Sequence, residues 1–175
     1  MKKLAIVLAM ILFAGTALQA QYVFNKGDIG INAGIGVFGY DGLIPSIEGS
    51  VEFGVIPTGD VGLVSFGGMA GYKYSTYGYT GYYDYNYSKF QFGARGAWHL
   101  QTFKSSEWDV YAGIGAGMSS RAKWDAGKVD YVTTFNPYTE LFVGGRMMFD
   151  SGFGLFAEVG YSHISSARFG LTFLM

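Results

Sequence analysis

From residue 28 to the C-terminus the chain falls into eight segments. In each, the bulky apolar residues hold one parity, while every Asp, Glu, Lys and Arg holds the other. Strand side chains point alternately to the two faces of a sheet, so parity in the sequence becomes sidedness in space. The last segment sets Phe169, Leu171, Phe173 and Met175 against Arg168, Gly170 and Thr172; the first sets Ile29, Ile31, Ala33, Ile35 and Val37 against Asp28, Asn32 and glycines. Ile47, Val51 and Phe53 likewise oppose Glu48 and Glu52, and Phe153, Leu155, Val159 and Tyr161 oppose Glu158. In the third segment Leu63 and Met69 are apolar exceptions on the polar side. Fixing the phase by apolar residues alone would leave charges scattered over both faces, and they are not scattered.

The segments predicted as strands are 28–40, 46–56, 61–74, 87–100, 107–119, 138–149, 153–161 and 168–175. Most reach the roughly 9 to 11 residues that a tilted strand needs to cross a bilayer core. Connections at 57–60, 101–106 and 150–152 are short, whereas those at 41–45, 75–86, 120–137 and 162–167 include two long ones. Short turns on one side and longer loops on the other is the asymmetry of an outer-membrane barrel. A soluble ligand-binding barrel would show the same alternation turned inside out. Against it, the polar face has too few charges and too much Gly to coat a soluble protein. Aromatic residues also gather toward segment ends (Tyr72, Tyr74, Trp98, Trp108, Phe149, Tyr161, Phe173), where membrane interfaces favour them. The expected fold is therefore all-β: an eight-stranded antiparallel up-and-down transmembrane β-barrel.

Composition agrees: 28 Gly, 15 Phe and 14 Tyr against 3 Pro in 175 residues favour strands and tight turns over helices. Residues 1–20 read as a cleaved secretory signal: Lys2 and Lys3, an apolar run from Leu4 to Ala14, then small residues to Ala20. Residues 21–175 form the barrel domain, which expects export to the cell outer membrane. The absence of Cys excludes disulfides, thiolate chemistry and Cys-ligated zinc. The slight acidic excess gives no sign of nucleic acid, and two separated His give no metal site.

Arg168, Gly170, Phe173 and Met175 resemble the C-terminal assembly signal of outer-membrane proteins: a polar residue, Gly two positions on, then apolar residues third from last and last. Met175 stands where that pattern has Phe. With the signal peptide, strand count and loop asymmetry, the chain resembles the OmpA/OmpX-type eight-stranded outer-membrane β-barrel family. The resemblance implies recognition by the barrel-assembly machinery, a setting of outer-membrane lipid and lipopolysaccharide, and a monomer without cofactors. It also implies a structural or surface-interaction (adhesion) role, with a host or envelope protein contacted at the loops.

Parity turns Glu48, Glu52, Lys73, Arg95, Asp109, Glu140, Arg146, Glu158 and Arg168 inward. An eight-stranded barrel leaves no aqueous channel, so these side chains are expected to interlock as an ionic plug; a gated ion path, or passage of a small or hydrophobic solute, is the transport alternative. The enzyme alternative is a lipid A acyl-ester hydrolase. His163-Ile164-Ser165-Ser166 is similar to the His-x-Ser-Asn motif of the lipid A deacylases, with His163 and Ser165 facing lipid if the seventh strand continues. Ser166 replaces Asn, however, and no acid follows His163 to orient it. Residues 72–87 hold eight of the 14 Tyr and read as a hairpin continuing above the membrane. There Tyr77, Tyr79, Tyr82, Tyr83 and Tyr85 would offer contact area at low entropic cost. The loop at 120–137 mixes charges and reads as solvated.

Overall fold

The computed structural model describes residues 22–39, 44–79, 83–102, 104–125, 128–149 and 152–175; for 76–79, 83–85, 124–125 and 128–132 it describes the backbone alone. Residues 1–20, expected to be a secretory signal, and Tyr82 lie outside the described residues. Eight strands follow one another: β1 (Ile29–Val37), β2 (Ser46–Pro57), β3 (Gly62–Tyr79), β4 (Tyr83–Leu100), β5 (Trp108–Asp125), β6 (Lys128–Met148), β7 (Phe153–Tyr161) and β8 (Ala167–Leu174). Each pairs antiparallel with its sequence neighbours, and β1 pairs with β8 from Gly30↔Leu174 to Val37↔Ala167. The result is a closed up-and-down barrel. This is the architecture that the alternation predicts, and closure leaves no edge within the barrel wall.

Local chemistry explains the turns. Gly59 (φ 72°) and Gly152 (φ 73°) occupy the left-handed region in the β2–β3 and β6–β7 connections, which only glycine enters without cost. Above the opposite rim the strands run further than the alternation predicts. β3 and β4 pair up to Tyr79↔Tyr83, and β5 and β6 up to Asp125↔Lys128. The segment 120–137 is thus a β-hairpin and not a loop. Ladder hydrogen bonds persist there although neither face is sorted into apolar and polar, and sorting is what sequence periodicity detects.

The sides of the wall follow parity. Val159 is 57% exposed while its neighbour Glu158 is 2% exposed. Ile47, Phe66, Phe92, Ile114, Leu141, Leu155 and Phe169 all stand outward and exposed. Aromatic side chains bound this band. At the short-turn end Phe149, Phe153 and Phe173 cluster (centroids 5.8 and 5.1 Å), and the Trp98 indole donates to Thr58 Oγ1 at 3.1 Å; at the other end stand Tyr72, Tyr74 and Tyr161. Among the described residues no helix is long and apolar enough to cross a membrane. Glycines make the lumen wide enough for its contents: a Cβ on Gly36 would collide with Glu48 Oε1 and Ser46 Oγ.

Candidate functional site

The lumen holds two ionic layers. In the layer nearer the short turns, Arg146 lies between Glu52 and Asp109, its Nη2 bonding Glu52 Oε1 and its Nε lying 3.1 Å from Asp109 Oδ2. His99 bridges the same two acids, with Nδ1 2.9 Å from Asp109 Oδ2 and Nε2 3.1 Å from Glu52 Oε2. Ser65 Oγ donates to Glu52 Oε2 at 2.8 Å. In the second layer Arg95 and Arg168 are shared among three carboxylates. Arg95 Nε reaches Glu140 Oε1 at 2.7 Å and its Nη2 reaches Glu158 Oε2 at 2.9 Å. Arg168 Nε meets Glu158 Oε2 at 2.6 Å, Nη2 meets Glu140 Oε1 at 3.3 Å, and Nη1 meets Glu48 Oε2 at 3.1 Å. Tyr111 joins the layers: its hydroxyl donates to Glu158 Oε1 at 2.8 Å, while its ring lies 5.1 Å from His99 and 4.9 Å from the Arg146 guanidinium carbon. Between the layers the remaining gap is of water size, lined by Glu52, Ser65, Arg95, Tyr111, Phe142 and Glu158.

Among the described residues, an apolar side chain from outside the strands covers each end of the lumen. At the short-turn end Phe24, 1% exposed, rests on His99 (4.6 Å), and Gln101 Nε2 donates to its carbonyl at 2.7 Å. The segment carrying it is tied to the wall by Gly27 N–H donating to Gly54 O and Gly54 N–H to Asp28 O. At the opposite end Ile164, also 1% exposed, plugs the mouth, and Lys73 Nζ donates to its carbonyl at 3.3 Å. Phe24 was not read from the sequence as part of this interior, and the partners of the inward-facing His99, Ser65 and Tyr111 were not foreseen. Parity places His99, Ser65 and Tyr111 on the charged faces of their strands; no periodic signal marks Phe24, which precedes the first strand.

The lipid-facing placement of His163 and Ser165 does not hold, because β7 ends at Tyr161. Ser162 then forms a compact turn, accepting from Ser165 N–H (3.2 Å) and donating to Ser165 O (2.8 Å). The turn buries Ser165 at 3% exposure and points Ile164 into the lumen. A serine sunk in this turn cannot meet an acyl ester on the outer wall. Among the described residues no group of His, Cys, Asp and Glu could hold a metal ion.

Beyond the rim, β3 to β6 stand above the barrel as a four-stranded sheet. β2 reaches β3 only as far as Ser46↔Lys73, and β7 reaches β6 only as far as Leu141↔Tyr161. Tyr77 faces Tyr85 and Tyr79 faces Tyr83 in the β3–β4 ladder; their side chains lie outside the described residues. Where side chains are described, the Arg121 guanidinium lies 4.4 Å above the Tyr87 ring. At the C-terminus Arg168 is internal, Phe173 and Met175 are exposed on the outer wall, and Met175 exchanges backbone bonds with Ile29.

No protein-family model matches the chain, and neither does any curated protein. Among solved structures it is similar to a crystal structure of Ail, the attachment invasion locus protein of Yersinia pestis, in complex with the heparin analogue sucrose octasulfate. The match has 12% identity over 85% of this chain and 95% of that one, with a TM-score of 0.48. A second crystal structure of Ail matches at 14% identity over the same shares, with a TM-score of 0.44.

Proposed function

We propose that this chain is a non-catalytic outer-membrane barrel whose role is surface interaction, exercised by the sheet that β3 to β6 raise above the rim. One observation carries the reading. Bulky apolar side chains stand exposed around the closed wall while Glu48, Arg95, Glu140, Arg146, Glu158 and Arg168 are buried within it. Water is a poor solvent for that outside, and lipid is a good one; closure satisfies the wall's backbone hydrogen bonds, which a bilayer requires. Once the barrel sits in lipid, the sheet beyond the rim is the part that reaches the aqueous exterior. The filled lumen speaks against solute passage, and the buried Ser165 against ester hydrolysis. Insertion by the barrel-assembly machinery through Arg168, Gly170, Phe173 and Met175, and export by residues 1–20, belong to the same proposal.

The test uses cells displaying the full chain. A variant whose hairpins are cut back to the rim, replacing residues 75–86 and 120–136 by short turns, should lose binding to an epithelial monolayer or matrix-coated surface. Equal binding would dismiss the surface role. Lipid A mass spectra from expressing cells should show no lost acyl chain; a lost chain would restore the enzyme reading.

A further inference from the structure

The segment before β1 crosses the short-turn mouth on few attachments. Gln101 Nε2 donates to Phe24 O, and two backbone bonds to Gly54 fix Gly27 and Asp28, whereas Asn25 bonds within the segment, to Tyr22 O and Asp28 Oδ2. Gly27 is exposed, has open space where a Cβ would stand, and takes a left-handed φ of 98°, a conformation that glycine enters without cost. Residues 22–26 thus form a strap that turns about Gly27. Among its described residues only Phe24 is buried.

Beneath Phe24 lies His99, 0% exposed, with acceptors at both ring nitrogens. Nδ1 is 2.9 and 3.1 Å from the two carboxylate oxygens of Asp109. Nε2 is 3.1 Å from Glu52 Oε2 and 2.9 Å from Ser65 Oγ, whose own proton goes to Glu52. A neutral imidazole donates from one nitrogen only and would turn the lone pair of the other against a carboxylate. An imidazolium donates from both. With it the lower layer is balanced, Arg146 and His99 against Glu52 and Asp109.

The groups around the ring are Glu52 from β2, Ser65 from β3, Asp109 and Tyr111 from β5, Arg146 from β6 and Phe24 from the strap. The Tyr111 hydroxyl is engaged by Glu158. The Phe24 ring therefore rests near two cations, His99 at 4.6 Å and the Arg146 guanidinium carbon at 5.2 Å. Of these only the imidazole can lose its charge. A crevice of water size between the strap and the β4–β5 turn, lined in part by Tyr22, Val23, Lys104, Trp108 and Asp109, leads solvent to this layer.

We infer that the strap is a pH-sensitive latch on the short-turn mouth: the His99 imidazolium holds Phe24 down, and loss of its proton releases the strap about Gly27. The neutral ring keeps its Nδ1 proton for Asp109, the Ser65 hydroxyl turns its proton from Glu52 to Nε2, and Glu52 keeps Arg146. Every polar group stays satisfied while one of the two cations under Phe24 is gone. The mouth is shut while the ring is charged and opens as the pH rises. This latch belongs to the lumen and is independent of what the sheet above the rim contacts.

The test uses the folded barrel in lipid nanodiscs. The chain has no Cys, so a nitroxide on V23C reports the strap alone. Electron paramagnetic resonance is followed from about pH 6 to about pH 10, a window that covers the ordinary imidazole titration and the range above it. The label should be immobilised at the acid end, and its mobile fraction should grow about tenfold toward the alkaline end, as loss of a desolvated cation–π contact implies. V23C/F24A supplies the spectrum of a free strap. V23C/H99Q, which has no titrating ring, should be mobile to the alkaline wild-type extent across the window. Nitrogen-15 NMR of the unlabelled chain should find both His99 ring nitrogens protonated at the acid end, losing a proton with the midpoint of the strap transition. A singly protonated ring at the acid end would overturn the imidazolium. A strap immobile throughout would overturn the latch, whatever the state of the ring. A transition that survives in V23C/H99Q would assign it to another group, such as Lys26 or Lys104, and remove His99 from the device. Heat-shifted electrophoretic mobility verifies folding. If H99Q does not fold or the label itself lifts the strap, the nuclear Overhauser contact between the Phe24 and His99 rings of the unlabelled chain decides: its loss together with the ring proton supports the latch, and its persistence after that proton has gone overturns it.

Discussion

At the residue scale the lumen is governed by how few ways there are to satisfy a charge once it has left water. Arg95 serves Glu140 and Glu158 together, so removing it leaves Glu48, Glu140 and Glu158 to share one arginine, Arg168, with excess negative charge buried away from solvent. Arg95→Leu should lower stability by roughly 3 to 5 kcal/mol, read as a drop in the midpoint of urea unfolding in detergent or lipid; an unchanged midpoint would deny the network its structural role. Phe24 acts differently, since it forms no ion pair but covers His99 and lies 5.2 Å from the Arg146 guanidinium carbon. With the stopper in place, Arg146, His99 and Asp109 of the lower layer are buried, and wild-type thermal unfolding should respond little to added salt. Phe24→Ala should cost about 3 to 5 kcal/mol through lost burial and should also make unfolding sensitive to salt as it rises toward about 1 M, where screening acts over ~3 Å. A loss without salt sensitivity would make Phe24 a packing residue only.

At the scale of elements, β6 carries two kinds of backbone position that look alike in sequence. Met148 N–H donates to Glu107 O on the β5 side and Phe149 N–H to Phe153 O on the β7 side. By that alternation Thr134 donates toward β5 and Thr133 toward the edge left open above Leu141. Thr134→Pro should therefore destabilise the hairpin by about 1 to 3 kcal/mol through a missing ladder bond, while Thr133→Pro should cost much less. Amide exchange at neighbouring β5 residues such as Ala122 and Arg121 reads the difference, and equal effects would mean the phase is wrong. The same strand shows why element ends were misjudged from sequence. Alternation is legible where the wall has an apolar exterior on one side and a polar lumen on the other, as at Glu140 and Leu141. It fades at 120–137, above the rim, where neither face encloses a lumen, although pairing continues to Asp125↔Lys128. The turn at Ser162 was misjudged for a related reason. His163 and Ser165 keep the outward parity of β7, but the side-chain bonds of Ser162 end the strand first.

For the whole molecule, a lumen filled by ionic layers and stopped at both ends should give no stable single-channel conductance in planar bilayers; steady conductance would revive the transport reading. Folded and boiled samples should migrate differently in detergent electrophoresis, as a closed barrel resists unfolding until heated. What the sequence determined alone was sidedness, and with it strand number, closure and which charges go inside, because a period of two maps directly onto two faces of a wall between unlike media. Tertiary structure alone decided which carboxylate each arginine serves, since that depends on register between strands far apart in sequence, as in Arg168 with Glu48 and Glu140. It also decided that Phe24 and Ile164 close the ends, because both lie on segments without periodicity and are positioned by contacts to residues distant in sequence, among them Gln101 and Lys73. The open edge of β6 is likewise a difference between the lengths of neighbouring strands, a quantity that no single strand's sequence contains.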